Sequence, residues 1–150
     1  MAEKTTLKVR ELPEEECRKF LSDHHLGRIA YAFRDRVDVQ PLFYVFDGEW
    51  LFGRTSPGEK LSTIQHHRWV AFEVDQVQDL WHWTSVVVKG AFHELRDDGT
   101  AEDQRVWERA RKAVSDAMPE AFTPEDPGAH RTVLFGISPL EITGRSASLG

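Results

Sequence analysis

The chain is short of most residues from which a recognisable chemical apparatus is built. It has one cysteine, Cys17, among 150 residues, so no intramolecular disulfide can form and no thiolate cluster can hold a metal. No apolar run approaches the roughly 20 residues of a membrane-spanning helix. The opening "MAEKTTLKVR" lacks the apolar core of a signal peptide. Positive charge is scarce: 19 Lys and Arg stand against 25 Asp and Glu, a formal net charge of -6. That balance excludes the basic face with which a nucleic-acid binder displaces counterions. Basic pieces such as "RDR" (34–36) and "HHR" (66–68) read as turn and helix-end residues. The histidines have no zinc-ligand spacing; His24–His25 and His66–His67 each close a helix, where imidazolium suits the dipole. There is no internal repeat and no long low-complexity segment. The expectation is a single domain over 1–150 with no membrane or nucleic-acid partner, placed by its lone cysteine in the reducing cytoplasm.

What the chain does have is aromatic and β-branched runs. "LGRIAYAF" (26–33), "VDVQPLFYVF" (37–46) and "EWLFG" (49–53) read as strands of a meander, with "DG" at 47–48 as a hairpin turn between the last two. "WVAFEVD" (69–75), "TSVVVKGAFHEL" (84–95) and "RTVLFGIS" (131–138) supply three more. "LPEEECRKFLSDH" predicts a first helix with Pro13 near its start, glutamates at its positive end, and Cys17, Phe20 and Leu21 turned inward. Cys17 is therefore an inert core thiol. A second helix spans about 57–67. A third lies within "DDGTAEDQRVWERARKAVSDAM", with a stripe of Val106, Trp107, Ala110, Ala113, Val114 and Ala117. A Pro- and acid-rich loop, "PEAFTPEDPGAH", follows it. The sum is mainly β: six antiparallel strands closing as a barrel, with a few flanking helices.

Three local features bear on function. In "GRTSPGEKLSTI" (53–64), Ser56, Pro57 and Glu59 make a capping box. Arg54 and Lys60 are left over, two cations at the positive end of a helix dipole, where each costs about 0.3–1 kcal/mol. A bound anion reverses that sign, and a phosphate fits best; the alternative is a capped, solvated helix start. Pro41 interrupts a good strand, so it marks either a bulge, whose freed backbone could meet a planar heteroaromatic edge, or an ordinary sheet edge. Gly90 marks a close backbone approach or a barrel bend.

In this order the pieces resemble a known family. A proline-interrupted strand, a hairpin, "GRTSPGEKL", "VAFEVD", "WTSVVVKGAF" and "ISPLEITGR" look like the pyridoxamine 5'-phosphate oxidase-like FMN-binding split-barrel family, in the branch that includes nitroimidazole-resistance proteins. The likeness covers about residues 9–147. It implies a six-stranded antiparallel split β-barrel, a homodimer, and FMN held between the subunits. Carried over residue by residue, it puts the cofactor phosphate on Arg54, Thr55 and Lys60, with Ser56 and Gly58 shaping the turn. It puts the backbone of Val39, Gln40, Pro41 and Leu42 at the isoalloxazine edge, and Ser85 and Val86 at a second approach, with Trp83 stacking on a ring or bracing the dimer. Phe43 stands where many relatives have asparagine.

The resemblance implies an FMN-dependent oxidoreductase acting on a small molecule. The alternatives are a non-catalytic flavin- or haem-binding module and a deazaflavin-dependent reductase. No side chain stands out as acid, base or nucleophile. His82, between Trp81 and Trp83, is the most site-like histidine, with a solvated loop position as its plainer reading.

Overall fold

A computed structural model describes residues 5–58, 64 and 68–150. Its elements run β1 (Leu7–Glu11), α1 (Glu14–Asp23), β2 (Leu26–Phe33), β3 (Arg36–Phe43), β4 (Val45–Phe46), β5 (Leu51–Thr55), β6 (Trp69–Asp79), β7 (His82–Glu94), α2 (Ala101–Ala117) and β8 (Val133–Leu149). The strands form one eight-stranded antiparallel sheet in the order β3-β2-β6-β7-β8-β5-β4, with β1 on the far half of β8. The fold is mainly β and consistent with a split barrel, as expected, but eight strands replace six. β1 was not anticipated. The run 37–46 divides at Tyr44, whose amide bonds His25 O at 2.9 Å, into β3 and β4. The last strand continues through Pro139 to Leu149. Most of the helix expected over 57–67, with its capping residue Glu59, lies outside the described residues.

Local chemistry accounts for the elements. Pro13 precedes the first turn of α1, and Glu14, Glu15 and Glu16 occupy its positive end. Cys17 and Leu21, one helical turn apart, are buried. The helix stops at His24, whose Nδ1 bonds Phe20 O at 2.8 Å and whose ring stacks on Phe20. Between β4 and β5, Asp47 Oδ1 accepts the amides of Glu49 and Trp50 at 3.0 and 2.9 Å, and Gly48 takes φ 102°, so the Asp-Gly turn is confirmed. Thr100 and Asp103 close a capping box on α2. Ala110 and Val114 are its buried residues, while Ala117 at the end of the expected stripe is exposed.

Two cores result. One fills the barrel with Ile29, Tyr44, Phe72, Val74, Val86, Val88 and Phe135, sealed at one end by Cys17 and Leu21 of α1. The other lies between the sheet and α2 and contains Val45, Phe52, Ala110, Val114, Ala121 and Leu134. β5 stands between them: Leu51 belongs to the barrel core and Phe52 to the α2 layer. Each fully buried Phe contributes on the order of 1.5–3 kcal/mol.

Pro41 resolves to the sheet edge. It pairs with Arg28 in an unshifted register, and among the described residues β3 has no strand on its other side, so its missing N–H costs no ladder bond. Gly90 resolves to the close approach. The β7–β8 register shifts between Lys89 and Gly90, and a Cβ on Gly90 would lie 2.2 Å from Ser138 O. Backbone cannot yield as a side-chain tip can. Gly90→Ala is expected to destabilise the fold by about 1–3 kcal/mol, read as a lower urea midpoint with an unchanged m-value.

Candidate functional site

β5 ends at the feature that the sequence singles out. Side chains alternate along a strand, so Arg54 follows Phe52 into the α2 layer while Thr55 follows Gly53 to the other side. On that side Gly53 touches the end of β3: a Cβ there would meet Phe43 O at 2.9 Å and the Phe135 ring at 2.5 Å. Thr55 is half-buried, and Ser56, Pro57 and Gly58 are exposed. The chain thus brings the end of β5 beside the end of β3, with two hydroxyl side chains and a glycine following it. Hydroxyls and backbone amides are the kind of donors that a phosphate accepts from. Lys60 lies outside the described residues.

Arg54 is not the orphan cation that the sequence implied. It is 5% exposed, and its fork closes on Asp126, Nη1 to Oδ2 at 2.5 Å and Nη2 to Oδ1 at 2.9 Å. Nη2 also touches Met118 Sδ at 3.2 Å, and the guanidinium lies 5.4 Å from the Phe122 ring centre. Asp126, its side chain 1% exposed, additionally accepts the amides of Phe122 at 2.9 Å and Gly128 at 2.8 Å. Arg54's hydrogen bonds above all, with these amides, hold the Asp126 carboxyl well below the usual carboxylate range. The premise of an unpaired Arg54 is therefore corrected: the loop after α2 supplies its counter-charge. "PEDPG" carried half of this signal, since Asp-Pro-Gly is a turn in which Asp Oδ1 can take the amide two residues on. Nothing local pointed to Arg54.

The β3 segment divides by side. Gln40 and Leu42 face inward; Gln40 Nε2 donates to Tyr31 Oη at 3.2 Å, and Leu42 packs on the barrel core. Val39 and Pro41 face outward opposite Ala30 and Arg28, and Val39 is 61% exposed. The β7 segment lies on the same outer face but three strands away, on the order of 14 Å across the sheet. Trp83 and Ser85 line a cleft of about 510 Å³ with Glu11, Val87, Lys89 and Arg145. Val86 turns the other way and is wholly buried, its backbone paired on both sides with Val74 and Gly144. Its side chain is part of the barrel core.

Between the two segments lies a cluster that the sequence reading missed. Arg28 Nη1 reaches Asp75 Oδ2 at 2.9 Å and Glu73 Oε1 at 3.4 Å, and Ser85 Oγ donates to Glu73 Oε2 at 2.7 Å. The spacing "FEVD" puts both carboxylates on one strand face, a signal that was readable. Arg28 is 42% exposed, so each ion pair is worth about 0–1 kcal/mol and the cluster does not hold the fold. Burial first, then the neighbouring Asp75, raises the Glu73 carboxyl, with the Ser85 bond opposing.

The two expected contact groups lie toward opposite ends of β8. Arg54 pairs with Leu134 and Ser85 with Arg145, which separates them by on the order of 30 Å of β8. Other reactive groups stand apart. Cys17 is buried with its thiol pushed up by burial and by Glu14 and Glu16. His82 sits at the β6–β7 turn, its Nδ1 on Asp79 at 2.9 and 3.1 Å.

An antiparallel split sheet closed at one end by a helix and at the side by a second helix defines the class. The chain belongs to the pyridoxamine 5'-phosphate oxidase family, whose model it matches over residues 13–146. It is 27% identical over 147 residues to an uncharacterised protein of Rhizobium meliloti, covering 95% of this chain and 97% of that one. It resembles a solved FAD-binding protein of Mesorhizobium loti at 28% identity, covering 95% and 99% of the two chains, with a TM-score of 0.75. A Bacteroides thetaiotaomicron protein assigned to 5-nitroimidazole antibiotic resistance matches over 99% of this chain and 95% of its own, at 13% identity and a TM-score of 0.68; at that identity the likeness is one of fold.

The Arg54–Asp126 pair has a pH signature. A depressed carboxyl lends stability that is complete above its unfolded value of about 3.9 and drains as pH falls toward the lower folded value. Asp126→Asn is expected to lower the melting temperature by roughly 5–10 °C at pH 7. That gap should narrow progressively below about pH 4, as followed by circular dichroism of both proteins.

Proposed function

We propose that the protein is a flavin-binding oxidoreductase acting on a small molecule, with FMN held between two copies of the chain. The observation that carries the reading is the mouth at the end of β5. Half-buried Thr55 and exposed Ser56 and Gly58 follow Gly53, which lies against the end of β3, in a chain of the pyridoxamine 5'-phosphate oxidase family. The hydroxyls and amides of this mouth would hold the phosphate, with Lys60 following in sequence, and Val39–Leu42 would face the ring. Bound there, a flavin supplies the electron transfer, and the protein sets its orientation and access. The similarity to the Mesorhizobium FAD-binding protein supports a second form of the cofactor. FAD contains the same ribityl phosphate, so one mouth serves either.

The placement of the contact groups toward opposite ends of β8 supports a homodimer. If Trp83 and Ser85 also touch the flavin, they reach a mouth that is distant along their own chain most readily from a second copy. The outer face supports this. Around a shallow groove of about 370 Å³ it carries Ala30, Ala32, Ala71 and three large side chains: Val37 at 81%, Trp69 at 64% and Leu140 at 77% exposure. Contiguous apolar surface of this kind marks an interaction site.

The absorbance of purified protein after incubation with FMN and with FAD tests the reading. Flavin bands in the near-ultraviolet and blue are expected, with the mass of the extracted cofactor naming the form. Bleaching by reduced nicotinamide separates an enzyme from a carrier, and light scattering should give twice the chain mass. Trp83→Ala is expected to weaken flavin binding about tenfold. A protein that takes up neither flavin sinks the proposal.

A further inference from the structure

Arg54 lies next to the β5 mouth in sequence but not on its side of the strand. We propose that Asp126 is a positioning residue of the cofactor site. By taking both arms of the Arg54 fork it fixes the end of β5, so that the phosphate is held by Thr55, Ser56 and Gly58. Arg54 then acts through the shape of that mouth and not as a direct counter-ion. The inference rests on the flavin reading above and reassigns one of its residues.

Four observations carry it. First, Arg54 shares its strand face with Phe52, under α2, whereas Thr55 shares the opposite face with Gly53. One small anion on the Thr55 side does not meet the Arg54 fork. Second, both arms of that fork already hold a carboxylate, the geometry in which a guanidinium is most fully used. Third, handing Arg54 to a phosphate would strand Asp126 as a buried carboxylate with only the Phe122 and Gly128 amides for company, an arrangement that buried ion pairs resist strongly. Fourth, the loop is shut over the guanidinium. A Cβ on Gly128 would come within 3.0 Å of Nη2, and Phe122 holds φ 65°, unusual for an aromatic residue, with its ring against Arg54. A phosphate reaching Arg54 would first have to open this loop.

The two roles predict opposite outcomes for Asp126→Asn, which keeps the shape and removes the charge. We would titrate FMN and riboflavin into the wild type, Asp126→Asn, Arg54→Met and the double variant, well below every melting temperature. If Asp126 positions the mouth, Asp126→Asn weakens FMN about tenfold or more, as Arg54→Met does. Riboflavin, which lacks the phosphate, then changes less than about twofold, and the double variant is no worse than the weaker single one. If Arg54 binds the phosphate directly, Asp126→Asn frees it and FMN binds as tightly or more tightly, which overturns the proposal. Parallel losses for FMN and riboflavin also overturn it, because they report general damage. Should Asp126→Asn fail to fold, Arg54→Lys decides: charge without the fork loses FMN affinity if Arg54 positions and largely keeps it if Arg54 is a counter-ion. A wild type that binds neither compound defeats the flavin reading and this inference together. A wild type that binds FMN beside an equally competent Asp126→Asn defeats this inference alone.

Discussion

A strand must send neighbouring side chains to opposite sides, and at the end of β5 this rule decides what each residue can do. Phe52 and Arg54 go into the layer beneath α2; Gly53 and Thr55 go to the barrel side. A guanidinium driven into an apolar layer needs a partner with two acceptors in one plane, and among side chains a carboxylate offers that. The loop after α2 is shaped around the requirement. It turns at Asp-Pro-Gly, accepts a left-handed Phe122, and keeps Gly128 where a side chain would press on the fork. The Pro- and acid-rich composition of this loop thus has one indispensable member.

The outer face of the sheet obeys the same alternation with different stakes. Residues facing inward from β2, β6 and β7 are core. Those facing outward divide into an apolar end, with Val37, Trp69 and Leu140, and a charged centre, where Arg28 serves Glu73 and Asp75. Two carboxylates share one cation here, and Glu73 is raised by burial and by its neighbour. A raised acid lends stability in its neutral form and loses it as pH rises through the folded value. At neutral pH this centre is therefore favoured by a further positive charge and disfavoured by deeper burial.

Much of this was legible in the residues. The run 26–33 matches β2 end to end because its alternation is uninterrupted. Asp47-Gly48 announced its turn, and α1 announced its start through Pro13 and three glutamates. β1 was missed because "LKVRE" is short and exposed throughout, and its pairing joins Leu7 to Leu149; only distant chain explains it. The last strand was cut at Pro139 because proline interrupts a ladder, whereas here a register shift beside Gly90 lets the strand continue. At the site, the sequence correctly marked Arg54 as a cation in need of an anion. It could not tell that Asp126 would be brought there, because that meeting depends on how α2 lies across β5.

The loop that carries Asp126 is tied down by a few bonds near its carboxylate, while its other side faces water. Its length is thus free to drift among relatives by insertion or deletion on the solvent side, provided one acid returns to the same point. The counterpart of that acid should be sought by where it sits in space.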